Sequence, residues 1–230
     1  MRPIPYGRHL IDDADVGAVI EVLGGDWLTQ GPRVGELEEE IAKRCGARHA
    51  VACCSGTAAL HLAMLASGAG PGDEIVAPAI TFLATANAGL YVGATPRFTD
   101  IELPSVLMTP ELLEPSLSEK TRAVLPVHFA GLPCNMPAIH ELVRSRCPRA
   151  CILEDASHAL GGRHVNGAPV GSGQWADLVI LSLHPVKHIA AGEGGLVLTD
   201  LDELAERMRR LRCHGTTKDS ARLERADEGP

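Results

Sequence analysis

Between residues 12 and 213 the chain alternates short apolar runs with amphipathic segments. Runs of Val, Ile, Leu and Ala occupy 49–53, 74–77, 123–128, 150–154, 178–181 and 195–199, and each reads as a strand, as does the segment 96–100 around Phe98. The segments between most of them space their apolar residues by three and four, the period of a helix with one buried face. The first helix is capped by Asp12 or Asp13 and sets Val16, Val19, Ile20 and Leu23 on one face before Gly24 and Gly25 stop it. A second, over 33–45, places Leu37 and Ile41 inward, turns Glu36, Glu38, Glu39 and Glu40 to water or the first turns, and ends at Gly46. Further helices are expected behind residue 57 and at 81–90, 111–117, 136–145 and 202–213. The Gly-rich stretch 159–174 reads as irregular, apart from a short hairpin at 164–170.

Strands of this kind, apolar on both faces and separated by helices, predict an α/β fold: three layers, α/β/α, around a mostly parallel mixed sheet. Helices rich in Ala at 58–66 and 83–90 suit close packing on that sheet. No internal repeat and no linker divides the 230 residues.

Composition changes the picture little. With 45% hydrophobic residues but only 3% aromatic, the core must be built from aliphatic side chains. The formal charge of −8, with 21 basic residues that form no stripe, argues against a nucleic acid as main partner. No run is long and apolar enough for a membrane span, and no secretory signal is evident. Seven cysteines without metal-ligand spacing read as small reduced thiols of a cytoplasmic protein, with no metal site expected.

Candidate chemistry lies at the ends of the strands. The turn Ser55-Gly56-Thr57 between a strand and a helix makes an anion nest, because the first helical N–H groups lack internal partners; the same turn serves equally as a plain helix cap. Phe82 offers an aromatic face. Asp155 follows the run Cys151-Ile152-Leu153 and can hold a protonated ring nitrogen, or cap a helix. Lys187, in the segment SLHPVKHIAAGEGG of 182–195, is an amine suited to condense with an aldehyde, or a surface lysine in a Gly-rich turn. Ser182 can add a hydrogen bond to an anion. Together these are the needs of pyridoxal phosphate: amides for its phosphate, a flat lid for its ring, a carboxylate for its nitrogen, a lysine for its aldehyde.

The chain also contains GDWLTQGP at 25–32, AVACCSGTAALHLA at 50–63, GDEIVAPAITFLATANA at 72–88 and VHFAGLPCNM at 127–136. EDASHALGG at 154–162 and LRCHGTTKD at 211–219 complete the series. In order and spacing these resemble the DegT/DnrJ/EryC1/StrS sugar aminotransferases, and most the branch acting in the pseudaminic acid pathway. The resemblance spans essentially the whole chain. It implies the large domain of the aspartate aminotransferase fold, binding pyridoxal 5'-phosphate over 1–230. It further implies transfer of an amino group from glutamate to a nucleotide-linked 4-keto-6-deoxy sugar, in a homodimer. By that resemblance Lys187 binds the cofactor aldehyde and Asp155 pairs with the pyridine nitrogen. Gly56, Thr57 and Ser182 hold the phosphate, and Phe82 stacks on the ring. His158 lies near the ring or its oxygen, or supports the core. Trp27 and Thr29 match a loop of the sugar pocket, and His184 and His128 are substrate or supporting residues.

Two local departures are Cys54 before the SGT turn and Ala190-Ala191 where the family commonly carries two threonines. Family members commonly continue into a smaller carboxyl-terminal domain, expected here to be absent or truncated, with weak turnover if nothing replaces it. A dehydratase of the same cofactor class carries histidine in place of the lysine, so Lys187 weighs against that alternative. A non-catalytic remnant with a binding role is the other. A Rossmann dehydrogenase would need a GxGxxG turn that is missing.

Overall fold

The computed structural model describes residues 4–5 and 7–216. The last residues of the LRCHGTTKD motif, the charged tail after it and part of the first eleven residues lie outside that range. Seven strands form one sheet: β1 (His49–Cys53), β2 (Glu74–Pro78), β3 (Thr95–Thr99), β4 (Thr121–Val124), β5 (Cys151–Asp155), β6 (Leu178–Ser182) and β7 (Gly195–Thr199). Their order across the sheet is β1-β7-β6-β5-β4-β2-β3. β7 runs antiparallel to both its neighbours, and every other pairing is parallel. Six carboxyl ends therefore emerge at one edge, where an open α/β sheet gathers its functional groups.

The helices are α1 (Asp13–Leu23), α2 (Pro32–Cys45), α3 (Gly56–Ser67), α4 (Leu83–Tyr91), α5 (Pro110–Leu113), α6 (Met136–Arg146) and α7 (Asp202–Arg212). Successive strand residues point to opposite faces. In β6, Val179 and Leu181 join the core under α2, α5 and α6, while Leu178 and Ile180 join the core under α3, α4 and α7. Both faces are covered, so the strands show continuous burial instead of alternation.

Several expectations are adjusted. The helix at 81–90 starts only at Leu83, because Phe82 is extended (φ −72°, ψ 143°) and acts as its cap. The expected helix at 111–117 is α5 followed by a 3-10 turn over Glu114–Ser116; Pro115 cannot donate the hydrogen bond that would carry an α-helix on. The strand at 123–128 ends at Val124, two residues before Pro126, though Val127 still bridges to Asp155. The hairpin at 164–170 is a single bridge between Arg163 and Pro169. The capping of α1 is as expected, with Asp12 accepting from Ala14 and Asp15 amides, but none of its residues is buried. Its stripe of Val16, Val19, Ile20 and Leu23 is exposed.

Candidate active site

A cleft of about 540 Å³ opens at the carboxyl edge of β1, β2, β5 and β6. At its floor is the start of α3. Ser55 is extended and caps the helix, its Oγ accepting the Ala58 amide at 3.1 Å while its carbonyl accepts the Ala59 amide. Among the described residues this leaves the Gly56 and Thr57 amides without a partner at the mouth of the helix, the arrangement that attracts an anion. The site depends on close approach. A Cβ on Gly56 would lie 2.9 Å from the Cβ of Ser182, and one on Gly195, at the start of β7, would lie 2.2 Å from the Ser55 carbonyl. Ser182, the last residue of β6, is thereby brought beside the α3 amides.

Asp155 ends β5 and is buried. Its two carboxylate oxygens are each held by one donor. The Thr85 hydroxyl donates to Oδ2 at 2.9 Å and the Ser157 amide to Oδ1 at 3.2 Å. Thr81 in turn donates to Thr85 at 2.8 Å, so the donor chain runs one way, toward the carboxylate. Thr85 is fully buried in α4, and Thr81 lies in the turn just before that helix, four residues earlier in the chain. Neither threonine was singled out in the sequence; the TxxxT spacing is the signal that was there to be read.

Lys187 enters from the loop between β6 and β7. That loop is closed by backbone bonds from Leu183 to Gly194 and from Ala191 to Leu183, and the Lys187 amide donates to His184. His188 pins it from outside, its Nε2 lying 2.7 Å from the Leu160 carbonyl. Burial pushes the half-buried Lys187 amine below the usual lysine range, with Asp155 pulling the other way. His158 is also pushed down, first by burial and then by Lys187, against Asp155. Its Nδ1 accepts the Ala130 amide at 3.3 Å, which leaves its hydrogen on Nε2.

Of the residues singled out in the sequence, Gly56, Thr57, Phe82, His128, Asp155, His158, Ser182, His184 and Lys187 line this one cleft. Phe82 is 74% exposed at its rim. The fully buried ring of His128 is bound to Glu154 behind the cleft. Trp27 and Thr29 do not line the cleft; both are exposed on the loop before α2. Phe129, which the sequence does not single out, lines it too, its ring centroid 6.3 Å from that of His158.

Residues 9–227 match the DegT/DnrJ/EryC1/StrS aminotransferase family. The chain belongs to that family. It is 39% identical over 228 residues to the UDP-4-amino-4-deoxy-L-arabinose–oxoglutarate aminotransferase of Shewanella sediminis, covering 99% of this chain and 57% of that protein. Among solved structures it is similar to Helicobacter pylori PseC, an aminotransferase involved in the biosynthesis of pseudoaminic acid. The identity is 33% and the TM-score 0.86, over 98% of this chain and 60% of that one. The PLP form of Spr1654 from Streptococcus pneumoniae aligns with a TM-score of 0.86 at 31% identity, over 94% of this chain and 59% of that one. The chain thus spans somewhat under two thirds of the length of these relatives.

The donor set fits the cofactor of such enzymes. Two free amides and the Thr57 and Ser182 hydroxyls suit a phosphate, a buried carboxylate suits a protonated ring nitrogen, and a lysine whose charged form is disfavoured suits an aldehyde. Gly56 leaves the room that a side chain would take from the phosphate end.

Proposed function

We propose that this chain is the cofactor-binding large domain of a pyridoxal-phosphate-dependent aminotransferase. It would move an amino group from glutamate to a nucleotide-linked 4-keto-6-deoxy sugar. The observation that carries this reading is the meeting, in one cleft, of the Lys187 amine, the doubly held Asp155 carboxylate and the open amino terminus of α3. When bound, pyridoxal phosphate supplies an aldehyde for an amine and a ring that withdraws electrons from the substrate carbon.

The residues of the chain do the rest. Asp155 keeps a proton on the ring nitrogen, and Thr85 with the Ser157 amide fixes the plane in which its carboxylate points. Gly56, Thr57 and Ser182 orient the phosphate, and Phe82 covers the ring from the rim. His158 would offer its Nε2–H to the bound cofactor. Lys187 would hold the aldehyde, and its Nζ would be the group placed to move a proton at the substrate carbon. Burial lowers its basicity below that of a free lysine, which eases loss of the ammonium proton.

The sugar and the donor rest on kinship. One relative carries a UDP-linked 4-amino sugar and oxoglutarate in its name, and PseC is named for an amino-sugar pathway. His184, exposed at the cleft, is the residue this proposal assigns to contact with such a substrate. Trp27 and Thr29 belong to this proposal through a contact made outside the cleft of a single chain, in a homodimer. The exposed apolar side chains of α1 and of Phe98 support such pairing.

The test is borohydride reduction of the purified chain with pyridoxal phosphate, followed by peptide mapping. The label is expected on Lys187 and is expected to vanish in Lys187→Ala. A label on another lysine, or none on a folded sample, overturns the reading. Amino transfer from glutamate to a UDP-linked 4-keto sugar then tests the substrate class.

A further inference from the structure

Behind Asp155, on the opposite face of β5, three buried groups meet: His128, Glu154 and His164, with candidate ligand atoms all within 4.8 Å of one another. Two imidazoles and a carboxylate suggest a metal ion, but the hydrogens argue otherwise. His128 Nδ1 accepts the Cys134 amide at 3.2 Å, so the ring hydrogen sits on Nε2, directed at Glu154 Oε1 at 2.9 Å. Ligation through Nε2 would move that hydrogen to Nδ1, where it would meet the amide hydrogen head-on. His164 Nε2 lies 3.4 Å from the same carboxylate oxygen, and its ring stands edge-on to His128 and Trp175.

We infer that Glu154 is a positioning residue: through His128 it holds the 128–134 turn in the shape that presents His158 to the cleft. This rests on the cofactor-binding reading above. His128 is tied to β5 twice, by its amide to the Asp155 carbonyl and by its ring to Glu154. Its Nδ1 closes the turn on Cys134, whose thiol donates to the Val127 carbonyl. Inside the turn Ala130 is left-handed, at φ 53°, a conformation that is unfavourable for a residue with a side chain. That shape persists because both ends of the turn are pinned. It aims the Ala130 amide at His158 Nδ1 and sets Phe129 against the same ring. The tautomer of His158, and so the donor it offers the cleft, is decided by a carboxylate that never touches the cleft.

Glu154→Met keeps the length of the side chain and removes the oxygen that accepts from His128 Nε2–H. Imidazole nitrogen-15 spectra of the cofactor-free chain read the His158 tautomer directly, and pyridoxal phosphate titration reads affinity. Wild type is expected to hold the His158 hydrogen on Nε2. The folded variant should show both tautomers and a dissociation constant raised roughly tenfold, about the worth of one lost hydrogen bond. A folded variant with His158 unchanged overturns the inference, as does stoichiometric zinc binding at His128 and His164 in wild type. Should Glu154→Met fail to fold, His128→Asn serves instead. Its side-chain oxygen can still accept the Cys134 amide while the link to Glu154 is cut, and the same spectral outcomes apply. Because the tautomer is read without cofactor, a failure of cofactor binding in wild type would sink the function and leave this inference to be judged separately.

Discussion

At the scale of single residues, the site is built from groups whose charge is costly where they sit. Asp155 is buried among aliphatic side chains, and its carboxylate is tolerated because Thr85 and Ser157 each supply a donor. Lys187 has no such compensation. Burial lowers its pKa below the ordinary 10.5, and Asp155 offsets this only in part. Between the lowered value and 10.5 the unfolded chain binds more protons than the folded one, so the stability of the cofactor-free protein rises with pH across that window. At neutral pH the folded chain carries a half-buried cation. Lys187→Met is therefore expected to raise the melting temperature of the cofactor-free chain at neutral pH, with a gain that shrinks as pH climbs toward the ordinary lysine value. Calorimetry over that range checks it; a gain that grows with pH would contradict the assignment.

At the scale of elements, the decisive contact is between β7 and the turn that starts α3. β7 runs against its neighbours, so its first residue, Gly195, lies at the same edge as the last residues of β1 and β6, paired with Cys53 and Ser182. The Ser55 carbonyl sits where a Gly195 side chain would be. Gly195→Ala is expected to displace the Ser55-Gly56-Thr57 turn and weaken pyridoxal phosphate binding by at least tenfold, roughly the loss of one or more charge-assisted hydrogen bonds. The sheet should remain folded, since the clash is confined to the edge where β7 meets that turn. Titration monitored by cofactor absorbance, alongside circular dichroism, separates these effects. α1 shows the opposite behaviour: a well-capped helix whose apolar stripe stays exposed on the described chain. Its capping box is a local matter, satisfied by Asp12 and Asp15 alone, whereas the fate of its stripe depends on what lies beside it.

At the scale of the molecule, the sheet brings together groups from 55 to 187 in the sequence and holds them without cofactor. The cleft should then stabilise on binding by mass action. At a hundredfold excess over the dissociation constant the gain is about 2.7 kcal/mol, which corresponds to a rise of roughly 5–10 °C in the melting temperature for a chain of this size. Thermal scans with pyridoxal phosphate should show this, and inorganic phosphate alone, which meets only the α3 amides and neighbouring hydroxyls, should give a much smaller rise. Equal shifts would mean that Lys187 and Asp155 contribute nothing to binding.

The sequence by itself determined the strands and helices to within a few residues. Apolar period, capping residues such as Asp12 and Ser55, and stops such as Gly46 are local signals, and they act over one or two turns of chain. It also marked the cleft residues that carry an unusual side chain at a strand end, Asp155 and Lys187 foremost. What it did not determine were relations between distant side chains. That Thr85 reaches Asp155 across 70 positions, and that His128, Glu154 and His164 close on one another in the core, follow from which strands become neighbours. Thr and His at those positions look no different from surface residues until the sheet sets them in place. The same holds for Trp27 and Thr29, whose loop reads as pocket-like yet stands clear of the cleft in this chain. Local chemistry can be read one segment at a time; partnership across the fold is fixed only when strand order and direction are known.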